Sequence, residues 1–492
     1  MPSLFLASLI ALTLGVPPEV QRSETTQNSQ ATAPILSPNR ELDSIGQQAL
    51  SLPPEFASDV LIRLGGRAGL FDKPTRIDYL TSAFRLAAGC QLAFPSRVKA
   101  GASLDTVEGR KNQAEQLGLD TLSLRCRAVK VMLPLSRQAA ISLFDELDVP
   151  ATVSVSCGNG LYPDLHVYYE LLREVTAGAA IKDKYRYYVD ALSRIQSVSQ
   201  LEPFVRSLLT EQSLPEQEVS MLTTELAQRI HSLQPEAGGF TGAMESDGLI
   251  QRIESLCARL HKNEEDSAVA NLLNETRSFI VRNMAISVCK SSSHDSDWNA
   301  EESMKVFNTN LLPVFNRSTV PIRPIESSEV AGAKEAPIEH GFVFWQSSQS
   351  SAIMELAKSL NRTGQSDEAK EKWVDRILEA LSSWQSSSEP SLQVYFLEKG
   401  IILGELSALN PDGKRQRQIV REFVEFLAGN RYETDSREEW FSAARTLLFR
   451  LRRDVDKSSK SLLLDEFRRS RDPILSTYAA LELASPGLWT SQ

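Results

Sequence analysis

From about Arg40 the chain takes up one pattern and largely keeps it: apolar residues three and four apart, in pieces of helical length, cut by proline and glycine. Phe56, Val60, Leu61 and Leu64 fall on one face, with Pro53-Pro54 ahead of them and Gly65-Gly66 behind as stop signals. Ile77, Leu80, Phe84 and Ala88 repeat the spacing after Pro74. A single short helix cannot hide such a face, so each must pack on its neighbours. The pattern predicts an all-α fold of stacked antiparallel helices.

The same periodicity runs through 117–133 and 136–147. After a Gly/Pro-rich boundary at 148–163 it resumes from Asp164 to Glu174, Ile181 to Ile195, Glu202 to Thr210, Glu216 to Leu233, Asp247 to His261 and Ser267 to Val288. It fails between 290 and 350, where serines and prolines dominate; a helix suggested by Ala300 to Val306 is the exception. A loop of that length either crosses the helical surface as a linker or carries binding residues. Helices return from Ser351, with Trp373, Ile377, Leu381 and Trp384 in register, a turn at Leu409 to Gly413, and Ile419, Phe423 and Phe426 on the next arm. The expected organisation is an N-terminal helical block at 40–150, a middle block at 151–289, an irregular region at 290–350 and a C-terminal block at 351–492.

Ahead of these blocks, Leu4 to Val16 is an almost unbroken apolar run, followed by a Ser/Thr/Gln/Pro-rich stretch. The pairing reads as a signal peptide over 1–15, cut after Gly15, and a disordered leader over 16–39. The n-region carries no Lys or Arg, and if the run is not a signal the chain stays in the cytoplasm. The expected location is periplasmic or extracellular. At about 20 residues for a bilayer span the run is too short, so no transmembrane anchor is expected.

Helix pairs recur at spacings of roughly 35 to 45 residues, and in this the chain resembles tetratricopeptide and HEAT stacks. The resemblance is architectural, since the Trp, Leu-Gly, Tyr and Pro signature of the first is absent; it implies an α-solenoid. Gly118-Leu119-Asp120 and Leu-Arg-Cys-Arg-Ala at 124–128 also resemble exported helical proteins of bacteria, over about the first two hundred residues, which bring no activity with them.

A formal net charge of −10 disfavours nucleic acid, whose binding draws on Lys and Arg. Gly65-Gly66-Arg67-Ala68-Gly69 follows a helix rather than a strand, so it is no phosphate cradle, and no cofactor is expected. Cys157, Asp164 and His166 put a thiol, a carboxylate and an imidazole within ten residues, the ingredients of a catalytic triad; Asp164 also suits a helix N-cap. Cys257 and His261 stand four apart on one helix, as half of a metal site would, and His166 and Glu170 share a face in the same way. Neither set is complete enough to assign. The sequence therefore favours an exported scaffold that binds a protein or peptide, with a hydrolase or thiol-dependent enzyme using Cys157 and His166 as the alternative.

Overall fold

The computed structural model describes residues 38–90, 118–147, 165–235, 240, 248–261, 266–286, 288–289, 304–312, 322–330, 335–336, 349–353, 356, 366–385, 395, 398–400, 402–403, 406, 413–429, 464–470 and 472–485. All of them lie in one compact unit, Pro38–Gln492, and the fold is all-α. The signal and leader expected over 1–39 fall almost wholly outside these residues, as do Cys157, Asp164 and the Cys157 to Gly160 turn.

The helices are α1 (Pro38–Ala49), α2 (Pro54–Gly66), α3 (Lys73–Ala87), α4 (Thr121–Met132), α5 (Arg137–Asp145), α6 (His166–Thr176), α7 (Ile181–Ser193), α8 (Leu201–Thr210), α9 (Glu216–Ser232), α10 (Leu249–His261) and α11 (Asp266–Ile286). Beyond them come a four-residue helix α12 (Ser327–Val330), then α13 (Asp367–Ser383), α14 (Gly413–Gly429) and α15 (Pro473–Ala484). Several starts are fixed by the residue types that favour them. Asp72 and Asp120 accept from the backbone N–H of Thr75 and Ser123 at 2.9 Å, and Asp472 accepts from both Ile474 and Leu475. Helix α6 is different: its N-cap position is Leu165, one residue beyond the expected Asp164, and no side chain caps it.

Contacts follow the order of a helical stack. Helices α2, α4, α6, α8 and α10 touch in succession and form one layer, while α7, α9 and α11 succeed one another on the other side. Members of a layer run parallel. Glu202 and Leu208 of α8 meet Arg252 and Arg259 of α10 in the same order, and Tyr185 and Ser193 of α7 meet Glu225 and Arg229 of α9. Arg76 in the first turn of α3 meets Gly65 in the last turn of α2, as in an antiparallel pair, and the arrangement is compatible with a helical repeat.

The stop signal at Gly65-Gly66 belongs inside α2 rather than after it, because both residues form its last turn. Here α3 presses against α2. A Cβ on Gly65 would lie 2.8 Å from Leu80 Cγ and 3.1 Å from the Arg76 carbonyl, so only glycine permits the crossing. The chain reverses at Gly69, whose φ of 85° lies in the left-handed region.

The described parts of 290–350 lie against the stack. A π-turn at Phe307–Leu311 buries Phe307 and Leu311 and packs on α10, and the Asn308 side chain both accepts from and donates to the backbone of Ile325 at 2.9 Å. Arg277 of α11 donates to the carbonyls of Arg323 and Pro324 at 3.0 Å. Val288 and Cys289 pair with Glu335 and Ala336 as a two-residue parallel bridge (β1 and β2).

The last described helix returns to the first. Helix α15 packs on α1 and α2, with Phe56 and Tyr478 edge to face at 6.1 Å. Beside this contact Asp59, almost fully buried, accepts from Arg63 and Arg127 at 2.7 Å and from the Tyr478 hydroxyl at 2.6 Å. Burial opposes the charge of Asp59, but the two guanidiniums outweigh it and hold the carboxyl well below the usual carboxylate range.

Candidate functional site

Among the expected site residues, the structure brings His166 into a cleft. It stands at the first position of α6, where the apolar stripe of that helix faces α8, and its Nε2 lies 3.1 Å from the buried carboxylate of Glu202 on α8. Glu202 is also held by Arg252 of α10 at 3.2 Å. The imidazole is therefore backed by a carboxylate of α8, which an arginine of α10 holds in turn. Nothing in the sequence around His166 marks Glu202 as its partner, because the pairing depends on the parallel succession of α6, α8 and α10.

The cleft between α6 and α8 has a volume of about 130 Å³ and is lined by His166, Glu170, Arg173, Arg206 and Thr210 around Tyr169, Pro203 and Ser207. The helical period explains the set, since 166, 170 and 173 follow one face of α6, and 203, 206, 207 and 210 follow one face of α8. The shared face of His166 and Glu170 is thus a wall of the cleft. Beneath it Tyr169 and Phe204 meet edge to face at 5.8 Å, and Ser207 donates to the Tyr169 carbonyl at 3.1 Å while bonded to the Tyr188 hydroxyl. Burial pushes the Tyr169 hydroxyl well above its ordinary pKa, and that hydroxyl has no hydrogen-bond partner among the described residues.

Sequence reasoning missed Arg173 and Arg206, and comparison with the other arginines shows why they matter. Along the stack arginines cap the ends of neighbouring helices: Arg76 donates to Gly65, Arg137 to Val175, Arg194 to Leu147, Arg229 to Ser193, Arg259 to Leu208 and Arg282 to Ile230. Arg173 and Arg206 do not. Neither guanidinium has a hydrogen-bond or ion-pair partner among the described residues, although both line the same cleft.

The second expected pair separates by environment. Cys257 is fully buried in the core, and burial pushes its thiol far up, which keeps it protonated and inert. His261 ends α10 and is half-buried. Among the described residues no group of three His, Cys, Asp or Glu is placed to hold a metal ion. Cys126 is buried as well and Cys90 is half-buried. Glu466 takes Arg421 of α14 at 3.0 Å and Arg469 at 3.8 Å. No helix among the described residues is long and apolar enough to cross a membrane.

Comparison with family models, with curated proteins and with solved structures finds no match to this chain.

Proposed function

We propose that the chain is an exported helical scaffold that binds a protein or peptide partner. The observation that carries this reading is the cleft between α6 and α8, where two arginines and a buttressed histidine line the helical stack and neither guanidinium is taken up in packing among the described residues. Rigid helical stacks lend themselves to such recognition because the side chains of successive helices stay in fixed register. Co-purification of the full-length chain from the exported fraction tests it. A partner that stays bound through size exclusion is the expected result; a chain that always elutes alone overturns the reading. Mass spectrometry of the same material should show Val16 as the first residue, and an intact Met1 in the cytoplasmic fraction would overturn export.

A second reading, a thiol-dependent hydrolase, draws support from the Glu202 carboxylate beside the His166 ring, the kind of partner that orients a general base. It requires Cys157 as nucleophile. Loss of peptide or ester hydrolysis in Cys157→Ala would establish it, and unchanged turnover in that variant would remove it.

A further inference from the structure

We infer that the cleft between α6 and α8 is a carboxylate pocket, and that the ligand it takes is an aspartate or glutamate side chain of an acidic peptide. The inference deepens the scaffold reading and rests on it for the peptide, though not for the pocket. Arg173 and Arg206 face one small space from two helices and have no acidic partner among the described residues. Guanidiniums present paired N–H donors that match the two oxygens of a carboxylate, whereas the Thr210 hydroxyl on the same wall is spent on the Arg206 and Ser207 carbonyls at 3.0 Å.

Charge decides between the oxyanions that arginine can hold. Glu170 also lines the cleft, so with the His166 imidazole neutral two guanidiniums stand against one carboxylate, while Glu202 is already balanced by Arg252 behind it. One positive charge in excess suits a monoanion. A phosphate dianion would stay undercompensated and would face Glu170 directly. Pro203 and the ring of Tyr169 supply the apolar flank against which the methylenes of a Glu or Asp side chain pack.

The cleft also sits on a firm base. The helices that carry the two arginines are locked together by the Ser207 bond to the Tyr169 carbonyl and by the contact of Tyr169 with Phe204, so the pocket needs little rearrangement to close on a ligand.

The experiment is titration of the full-length chain with a fluorescent oligoglutamate peptide, its oligoglutamine analogue and inorganic phosphate as competitor. The expected result is saturable binding of oligoglutamate that weakens as salt rises, no saturable binding of oligoglutamine, and no displacement by equimolar phosphate. Arg173→Gln and Arg206→Gln should each weaken binding about tenfold, whereas Arg186→Gln, which changes an exposed arginine outside the cleft, should leave it unchanged. Circular dichroism of each variant separates lost binding from lost fold. Oligoglutamine binding as well as oligoglutamate, unaltered affinity in both cleft variants, or phosphate displacing the peptide would each overturn the inference. If a partner co-purifies but the arginine variants bind as before, the pocket falls and the scaffold stands. If oligoglutamate binds through the arginines but no partner ever co-purifies, the scaffold falls and the pocket stands.

Discussion

Asp59 has been taken out of water and given three donors in exchange, from Arg63, Arg127 and Tyr478. Removing one partner of such a group costs more than the bond was worth, because the others stay buried and unmatched. Asp59→Ala should therefore lower stability by about 3 to 5 kcal/mol in urea unfolding, and Tyr478→Phe by about 1 kcal/mol. The pH dependence follows from the depressed pKa. The contribution of Asp59 is complete above its ordinary value of 3.8 and is lost as pH falls below that toward the still lower folded value. Wild type should thus lose stability steeply in that acid range, and Asp59→Asn less so. Lys399 works in the opposite sense: burial brings its amine down to about 8 from 10.5, between the rings of Tyr395 and Phe426 and the Trp384 carbonyl. The unfolded chain holds that proton more tightly, so stability should rise from pH 8 toward 10.5, and Lys399→Met should flatten the rise. An unchanged slope in that variant would show that Lys399 is not the titrating group. Neither site is visible in the sequence. Asp59 reads as one half of an i, i+4 pair with Arg63, and the donor from Tyr478 lies 419 residues away.

Helix ends are where this fold is held in register. An α-helix leaves its last carbonyls without internal partners, and here arginines from the following helices supply them. Arg259 does the most, donating to the carbonyls of Leu208 and Glu211 at 3.2 Å and to Glu216 at 2.9 Å, so it ties α8, the turn after it and the start of α9 to α10. Arg259→Met should cost about 1 to 3 kcal/mol, measured by urea unfolding, although it keeps the length of the side chain. Gly65→Ala tests the opposite problem, a contact too close to fill; overpacking against Leu80 should cost about 1 to 3 kcal/mol in the same assay. The helices themselves were legible because apolar spacing and Asp or Ser caps are local signals. The stripe of Trp373, Ile377, Leu381 and Trp384 emerges with the last three fully buried and Trp373 half-covered. The arginine caps were not legible, since an arginine on a helix face reads the same whether it reaches a neighbouring carbonyl or water. For the same reason Arg173 and Arg206 carried no signal until their unemployment could be compared with the work of the others.

At the scale of the whole compact unit, local periodicity predicted that helices stack but not where the stack ends. A solenoid needs covers for its terminal faces. Here α15 is apolar on most sides, with seven of its twelve residues buried, and it covers α1 and α2. A chain ending at Ser470 should lose amide protection in α1 and α2 while α8 to α11 keep theirs, as hydrogen exchange would show. Uniform loss across the stack would mean instead that the helices unfold as one cooperative body. The cover also fixes an order of events. Synthesis makes α1 and α2 well before α15, so until α15 arrives the earlier pair should present bare apolar surface to whatever holdase is near. A chain stopped just ahead of Asp472 should therefore keep that surface bare and be drawn to a holdase, which co-precipitation would show.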